Sequence, residues 1–97
     1  MVKVMVSPIE KTFSKKVIKL LPQEKEGNYK FSGKFVATRC AIEKFGEGVI
    51  ITTHIILQKQ VKQKGGLDYL QVFEIDGQRL WFIDDVTHVT CLLPSDY

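Results

Sequence analysis

The sequence predicts one small α+β domain over residues 1–97, built from an antiparallel sheet of four to five strands and two helices. Its clearest part is a C-terminal three-stranded meander, in which Asp76-Gly77 separates two runs rich in Val, Ile, Phe, Trp and Tyr. A two-residue type I′ turn needs positive φ at both positions, which Asp and Gly tolerate, so this dipeptide predicts a hairpin. The second observation is a capped amphipathic pattern over residues 8–21, which predicts a helix.

The first predicted elements are a short strand over Met1–Val6 and the helix over residues 8–21. Ser7 can cap this helix, Pro8 suits its first position, and Glu10 completes a capping box. An apolar stripe then recurs at helical spacing, formed by Ile9, Phe13, Val17, Leu20 and Leu21. Four lysines lie off the stripe: Lys11, Lys15, Lys16 and Lys19.

The middle of the chain contains one extended segment and one ambiguous segment. Residues 29–42 are predicted to be extended, with a bend at Gly33, and Arg39 interrupts the apolar run. The β-branched residues of Val49–Lys62 favour a strand, but its apolar residues also fit one face of a helix. Gly65-Gly66 ends either element, as a hairpin turn or as a helix terminus, so the residues alone leave both alternatives open.

The predicted meander consists of residues 67–76, residues 78–84 and a last strand over Val86–Leu93. The last strand has apolar residues on both faces, which is typical of a central strand or of one covered by helices on each side. Trp81 and Phe82 are consecutive in a strand and therefore point to opposite faces. One of these two rings lies away from the main core unless both faces are covered.

The charge is unevenly distributed along the chain. Residues 1–48 hold ten Lys/Arg against five Asp/Glu, whereas residues 49–97 hold four against six, so the net charge of +3 is concentrated in the first half. A basic half predicts contact with nucleic acid or with an acidic protein surface. A lysine face that serves only solubility is the alternative, and nine Lys against one Arg in this half favour it, because Arg dominates specific phosphate contacts.

The sequence predicts neither a membrane span nor a secretion signal. No apolar run approaches the roughly 18 residues that a bilayer span requires, and the N-terminus lacks a long apolar segment with a small-residue cleavage site. We therefore expect a cytoplasmic protein without membrane contact. Cys40 and Cys91 each lie in an apolar context and are predicted to be buried free thiols.

No motif assembles a catalytic or metal site. Cys40, His54, His88 and Cys91 are the residue types of a zinc site, but no pair has zinc-finger spacing. Nothing places a thiol beside a base, and residues 46–48 lack the following Lys-Ser/Thr of a phosphate-binding loop. We expect no cofactor and no enzymatic activity.

Three fragments, Val36–Arg39, Asp68–Glu74 and Thr87–Tyr97, occur in an order and spacing that resemble small bacterial families of unknown function found on phages, plasmids and chromosomes. One of these is a staphylococcal protein of unknown function. The resemblance covers roughly residues 35–97, and Cys40 stands where that family has Gly. It implies a helix between Arg39 and Asp68 and a mobile-element accessory, but it carries over no catalytic residue.

These observations favour a non-enzymatic binding protein that docks to a host protein or nucleoprotein complex and modulates or inhibits it. The predicted partner-binding residues are Lys11, Lys15, Lys16, Lys19, Arg39 and Trp81. The alternative hypothesis is a nucleic-acid-binding domain that uses the basic N-terminal face, and a metal- or thiol-dependent enzyme ranks third. The outward aromatic ring is also compatible with a homodimer.

Overall fold

A five-stranded sheet and two α-helices make up most of residues 17–23 and 25–97, the part of the chain that the computed structural model describes. The strands are β1 Ile18–Leu20, β2 Lys34–Ala37, β3 Leu70–Ile75, β4 Gln78–Asp84 and β5 His88–Leu92. The helices are α1 Arg39–Phe45 and α2 Glu47–Lys64, and a 3-10 turn follows at Pro94–Asp96. This architecture confirms the α+β class. The predicted strand Met1–Val6 and residues 8–16 of the predicted helix lie outside the described residues.

The meander of β3, β4 and β5 is confirmed. Strand β3 pairs antiparallel with β4, and β4 pairs antiparallel with β5. Asp76 and Gly77 have φ values of 54° and 76°, as a type I′ turn requires. Strand β5 lies between β4 and β2, which confirms that it is central.

The sheet is mixed, so the prediction of a purely antiparallel sheet is wrong. Strand β2 pairs parallel with β5, from Lys34 opposite His88 to Ala37 opposite Cys91. The bend predicted at Gly33 is present, and a Cβ there would lie 2.7 Å from the Thr87 carbonyl oxygen. Only glycine therefore lets the chain enter β2 this close to β5.

The predicted helix over residues 8–21 is wrong at its C-terminal end, because Ile18–Leu20 form strand β1. This strand pairs antiparallel with β3, with Ile18 opposite Ile75 and Leu20 opposite Phe73. Ile18 and Leu20 pack against the core while Lys19 is exposed. This alternation of buried and exposed side chains is that of a strand and not of a helix.

The extended segment predicted over residues 29–42 also ends early. Thr38 has extended backbone, and its hydroxyl accepts a hydrogen bond from the Ala41 backbone N–H at 3.2 Å. This is a helix N-cap, and α1 begins at Arg39. The local cap therefore outweighs the β-propensity of the preceding strand.

The ambiguous segment Val49–Lys62 is helical and lies within α2. Gly65 ends the helix in the left-handed conformation, with φ 77°, and its N–H bonds the Val61 carbonyl. The Lys30 ammonium donates to the Gly65 carbonyl oxygen, which ties the loop before β2 to the end of α2.

Both α-helices pack on the same face of the sheet, here called the inner face. On this face the rings of Phe73 and Phe82 meet edge to face at a centroid distance of 5.4 Å. The buried core combines strand residues of the inner face with residues of both helices, among them Phe73, Phe82, Val89, Cys91, Ala41, Phe45, Leu57 and Val61. Helices on both sides of the sheet, the other arrangement predicted for β5, are not found among the described residues.

A buried carboxylate connects the loop before β2 to the turn after β4. Asp84 is 5% exposed; its Oδ2 accepts from the Phe31 N–H at 2.8 Å and its Oδ1 accepts from the Val86 N–H at 2.7 Å. Phe31 and Val86 have φ values of 52° and 83°, which non-glycine residues rarely adopt. One side chain therefore stabilises two strained backbone positions.

We expect Asp84→Asn to lower the free energy of unfolding by about 1–3 kcal/mol, measured by urea denaturation. An amide has one acceptor oxygen, so one of the two N–H groups would lose its partner and face an NH₂ donor. Asp85→Asn is the matched control, because Asp85 is exposed and accepts from Thr87 and His88 through Oδ1 alone. Equal losses in the two variants would contradict the role assigned to Asp84.

Candidate partner-binding surface

The face of the sheet opposite the helices is here called the outer face. Cross-strand pairing places two apolar rows on it. One row runs Val72, Trp81, Leu92 and the other runs Leu70, Ile83, Thr90, Val36. Within residues 17–23 and 25–97, no α-helix packs on these rows. Most of these side chains are half-buried by their neighbours, and Val36 on the edge strand is 36% exposed.

Charged residues border the two rows at either end of the strands. At one end Glu74 lies between Lys19 on β1 and Arg79 on β4 in the pairing register. At the other end Lys34 on β2 lies opposite His88 on β5. Lys19, Arg79, Lys34 and His88 are exposed, so the outer face is an apolar strip between two polar borders.

Trp81 lies at the centre of this strip and is partly covered by the end of the chain. The Tyr97 ring meets the Trp81 ring edge to face at a centroid distance of 5.7 Å, and Tyr97 itself is 80% exposed. The Asp96 carboxylate holds this segment through hydrogen bonds from the Thr38 hydroxyl at 2.7 Å and the Leu93 N–H at 3.0 Å. The bond from Thr38 lowers the pKa of Asp96. The prediction that one of the rings of Trp81 and Phe82 lies away from the main core is confirmed: this ring is Trp81, and it is half-buried.

Of the three predicted partner-binding residues that the structure describes, two lie on the same face of the sheet. Lys19 and Trp81 both lie on the outer face, by the register of β1, β3 and β4. Arg39 lies instead at the start of α1, where its Nε is 3.3 Å from Glu43 Oε2. Lys11, Lys15 and Lys16 lie outside the described residues.

Several outer-face residues were not predicted as site residues. Val36 and Lys34 on β2 join the surface only through the parallel pairing with β5, which the sequence does not reveal. Arg79 could be predicted from the sequence, because it lies two residues before Trp81 on β4 and its side chain therefore points to the same face. The sequence signal for this surface is that each strand of the meander has apolar residues at both odd and even positions, so both faces of the sheet carry apolar side chains.

His54 belongs to the inner face. Its imidazole stacks on the Phe35 ring at a centroid distance of 4.0 Å and an interplanar angle of 10°. The centroid of the Phe82 ring lies 6.3 Å from that of the imidazole. Its Nε2 is buried and has no hydrogen-bond partner among the described residues. Burial lowers the pKa of His54, so the ring acts as a neutral core aromatic.

The two thiols differ in environment. Cys91 is buried as predicted, and burial raises its pKa to about 12. The prediction for Cys40 is wrong, because it is exposed in the first turn of α1, where the nearby Asp96 carboxylate raises its pKa. Neither thiol has the lowered pKa that a nucleophilic thiolate requires.

No three or more His, Cys, Asp or Glu residues of residues 17–23 and 25–97 are grouped so that they could hold a metal ion. No helix within the same residues is long and apolar enough to cross a bilayer.

We expect the protein to be less stable at about pH 5.5 than at about pH 7.5. The pKa of His54 in the folded chain lies below the unfolded value near 6.5, so His54 binds its proton more readily in the unfolded chain, and protonation favours unfolding. Stability should fall as the pH drops below the unfolded value and level off below the folded one. Thermal unfolding at both pH values measures it. His54→Phe, which keeps an aromatic ring in the stack, should weaken this dependence. His88→Gln, at an exposed position, should retain it. An unchanged dependence in His54→Phe would contradict the assignment.

The comparisons with known proteins leave the resemblance of residues 35–97 to mobile-element families as a prediction. No family model, no curated protein and no solved structure matches the chain.

Proposed function

We propose that this chain is a non-catalytic docking protein that binds a macromolecular partner through the outer face of its sheet. The observation that carries the proposal is the apolar strip of two rows centred on Trp81, which no α-helix of the described residues covers. A protein interface usually consists of an apolar centre surrounded by a polar border.

The residue types on this face support binding. Trp and Arg are the residues most enriched among interface hot spots, and Trp81 and Arg79 share the outer face of β4. Val72, Ile83 and Leu92 lie next to Trp81 in the register and place branched aliphatic side chains around the indole, which exclude water around such an anchor.

Nucleic-acid binding is the second candidate function. It is favoured by three exposed cations at the borders of the outer face, Lys19, Lys34 and Arg79, together with the aromatic pair of Trp81 and Tyr97. The proposal that the protein acts as a phage or plasmid accessory on a host component rests on the sequence resemblance.

We expect Trp81→Ala to weaken partner binding by at least about 30-fold, corresponding to the roughly 2 kcal/mol of a hot-spot residue. The full chain is immobilised, a nuclease-treated bacterial lysate is passed over it, and the captured partner is identified and titrated against each variant. Ile51→Ala is the matched control, because Ile51 is an apolar side chain on α2 that is 53% exposed.

Val36→Gln provides a second outer-face variant at an exposed edge position, where substitution perturbs folding least. It should also weaken capture while circular dichroism stays unchanged. Capture that is equal in the Trp81, Val36 and Ile51 variants would refute the proposal. Capture that occurs only from a parallel lysate without nuclease treatment, and that falls steeply with salt, would establish the nucleic-acid alternative.

A further inference from the structure

The shape of the apolar strip indicates what kind of partner it accepts. Its two rows cross strands β3, β4, β5 and β2, which spans about 15 Å at roughly 4.8 Å per strand. Neighbouring rows on one face are about 7 Å apart along the strands, so the strip is about as wide as the apolar stripe of one helix. We propose, on the basis of the proposed function, that the outer face binds an amphipathic α-helix of a partner protein that carries acidic residues beside its apolar stripe.

The polar borders favour a helix that lies across the strands. In this orientation the half-buried Val72 and Trp81 in one row, and Ile83 and Val36 in the other, contact a continuous apolar stripe of about three turns. A helix along the strands would instead carry apolar residues over both charged borders, and burial of those charges without partners is unfavourable.

The charges on the borders select acidic flanks on the partner. Lys19, Arg79 and Lys34 are exposed cations. Fewer anions than cations lie on these borders: Glu74 lies between Lys19 and Arg79 in the register, and Asp85 at the β4–β5 turn accepts hydrogen bonds from Thr87 and His88. Acidic side chains on the partner therefore complement this face, which orients the complex and raises its association rate.

The same residues disfavour other occupants. Base stacking uses several aromatic or guanidinium planes in succession, whereas the two rows contain one aromatic ring, Trp81, which already meets the Tyr97 ring edge to face, and the other row residues are aliphatic apart from Thr90. In a two-fold pair of identical chains, each border would meet itself or the other border, so the excess of cations over anions in the row of Lys19, Glu74 and Arg79 would face the same excess or Lys34 in the second copy.

The test uses a fluorescein-labelled peptide of about 15 residues, enough for a helix of roughly 20 Å, with Leu at i, i+3, i+4 and i+7 and Glu on both flanks. A second peptide carries Lys in place of Glu, and a third has the Leu positions scrambled. Binding to the full chain is measured by fluorescence anisotropy.

We expect the Glu-flanked peptide to bind at least about tenfold more tightly than the Lys-flanked one, and the scrambled peptide to lose binding. Lys19→Glu combined with Lys34→Glu should abolish the preference for Glu. Lys59→Glu is the matched control, because Lys59 is exposed on α2, on the other side of the sheet, and this variant should keep the preference.

Equal binding of the Glu- and Lys-flanked peptides, or displacement of the Glu-flanked peptide by single-stranded oligothymidylate, would overturn the inference. A dimer in light scattering that dissociates in Trp81→Ala would also overturn it, in favour of a second copy as the occupant. If no peptide binds while Trp81→Ala still abolishes capture of the native partner, the helix is refuted and the docking function stands. If neither experiment responds to Trp81→Ala, both proposals fail.

Discussion

The buried carboxylate of Asp84 is the contact on which the arrangement of the sheet depends. It accepts from the backbone N–H groups of Phe31 and Val86, and thereby holds the loop before β2 against the turn before β5. Because Phe31 is fully buried in the core, this contact determines where the chain enters β2. The parallel pairing of β2 with β5 follows, and with it the position of Val36 on the outer face.

One-sided covering of the sheet links this fold to the proposed function. Both α-helices cover the inner face, where Phe73, Phe82 and the His54 ring pack together. Strict alternation along each strand then forces the remaining apolar residues, Trp81 foremost, onto the opposite side. Within residues 17–23 and 25–97, apolar residues lie on both faces of the sheet and α-helices on one, which is the physical basis for proposing a partner.

The sequence predicts what depends on local signals and misses what depends on contacts between distant segments. The Asp76-Gly77 hairpin and the opposite orientations of Trp81 and Phe82 follow from turn chemistry and from period two, and both are confirmed. Strand β1 was predicted as the end of a helix, because only its pairing with β3 distinguishes the two periodicities over three residues. Thr38 is a residue type that favours a helix N-cap, but the β-propensity of the residues before it favours an extended segment, so the sequence does not predict that a helix begins at Arg39. The outer-face positions of Val36 and Lys34 depend on a parallel pair between residues more than fifty positions apart, so no local pattern predicts them.

Accessibility of the single tryptophan tests the central claim most directly, because Trp81 is the only Trp in the chain and lies at the centre of the outer face. Acrylamide quenching of its fluorescence in the free chain should be substantial, and it should fall when the Glu-flanked peptide or the captured partner is added. An indole that acrylamide cannot reach in the free chain would show that this face is already covered, and would contradict the docking function.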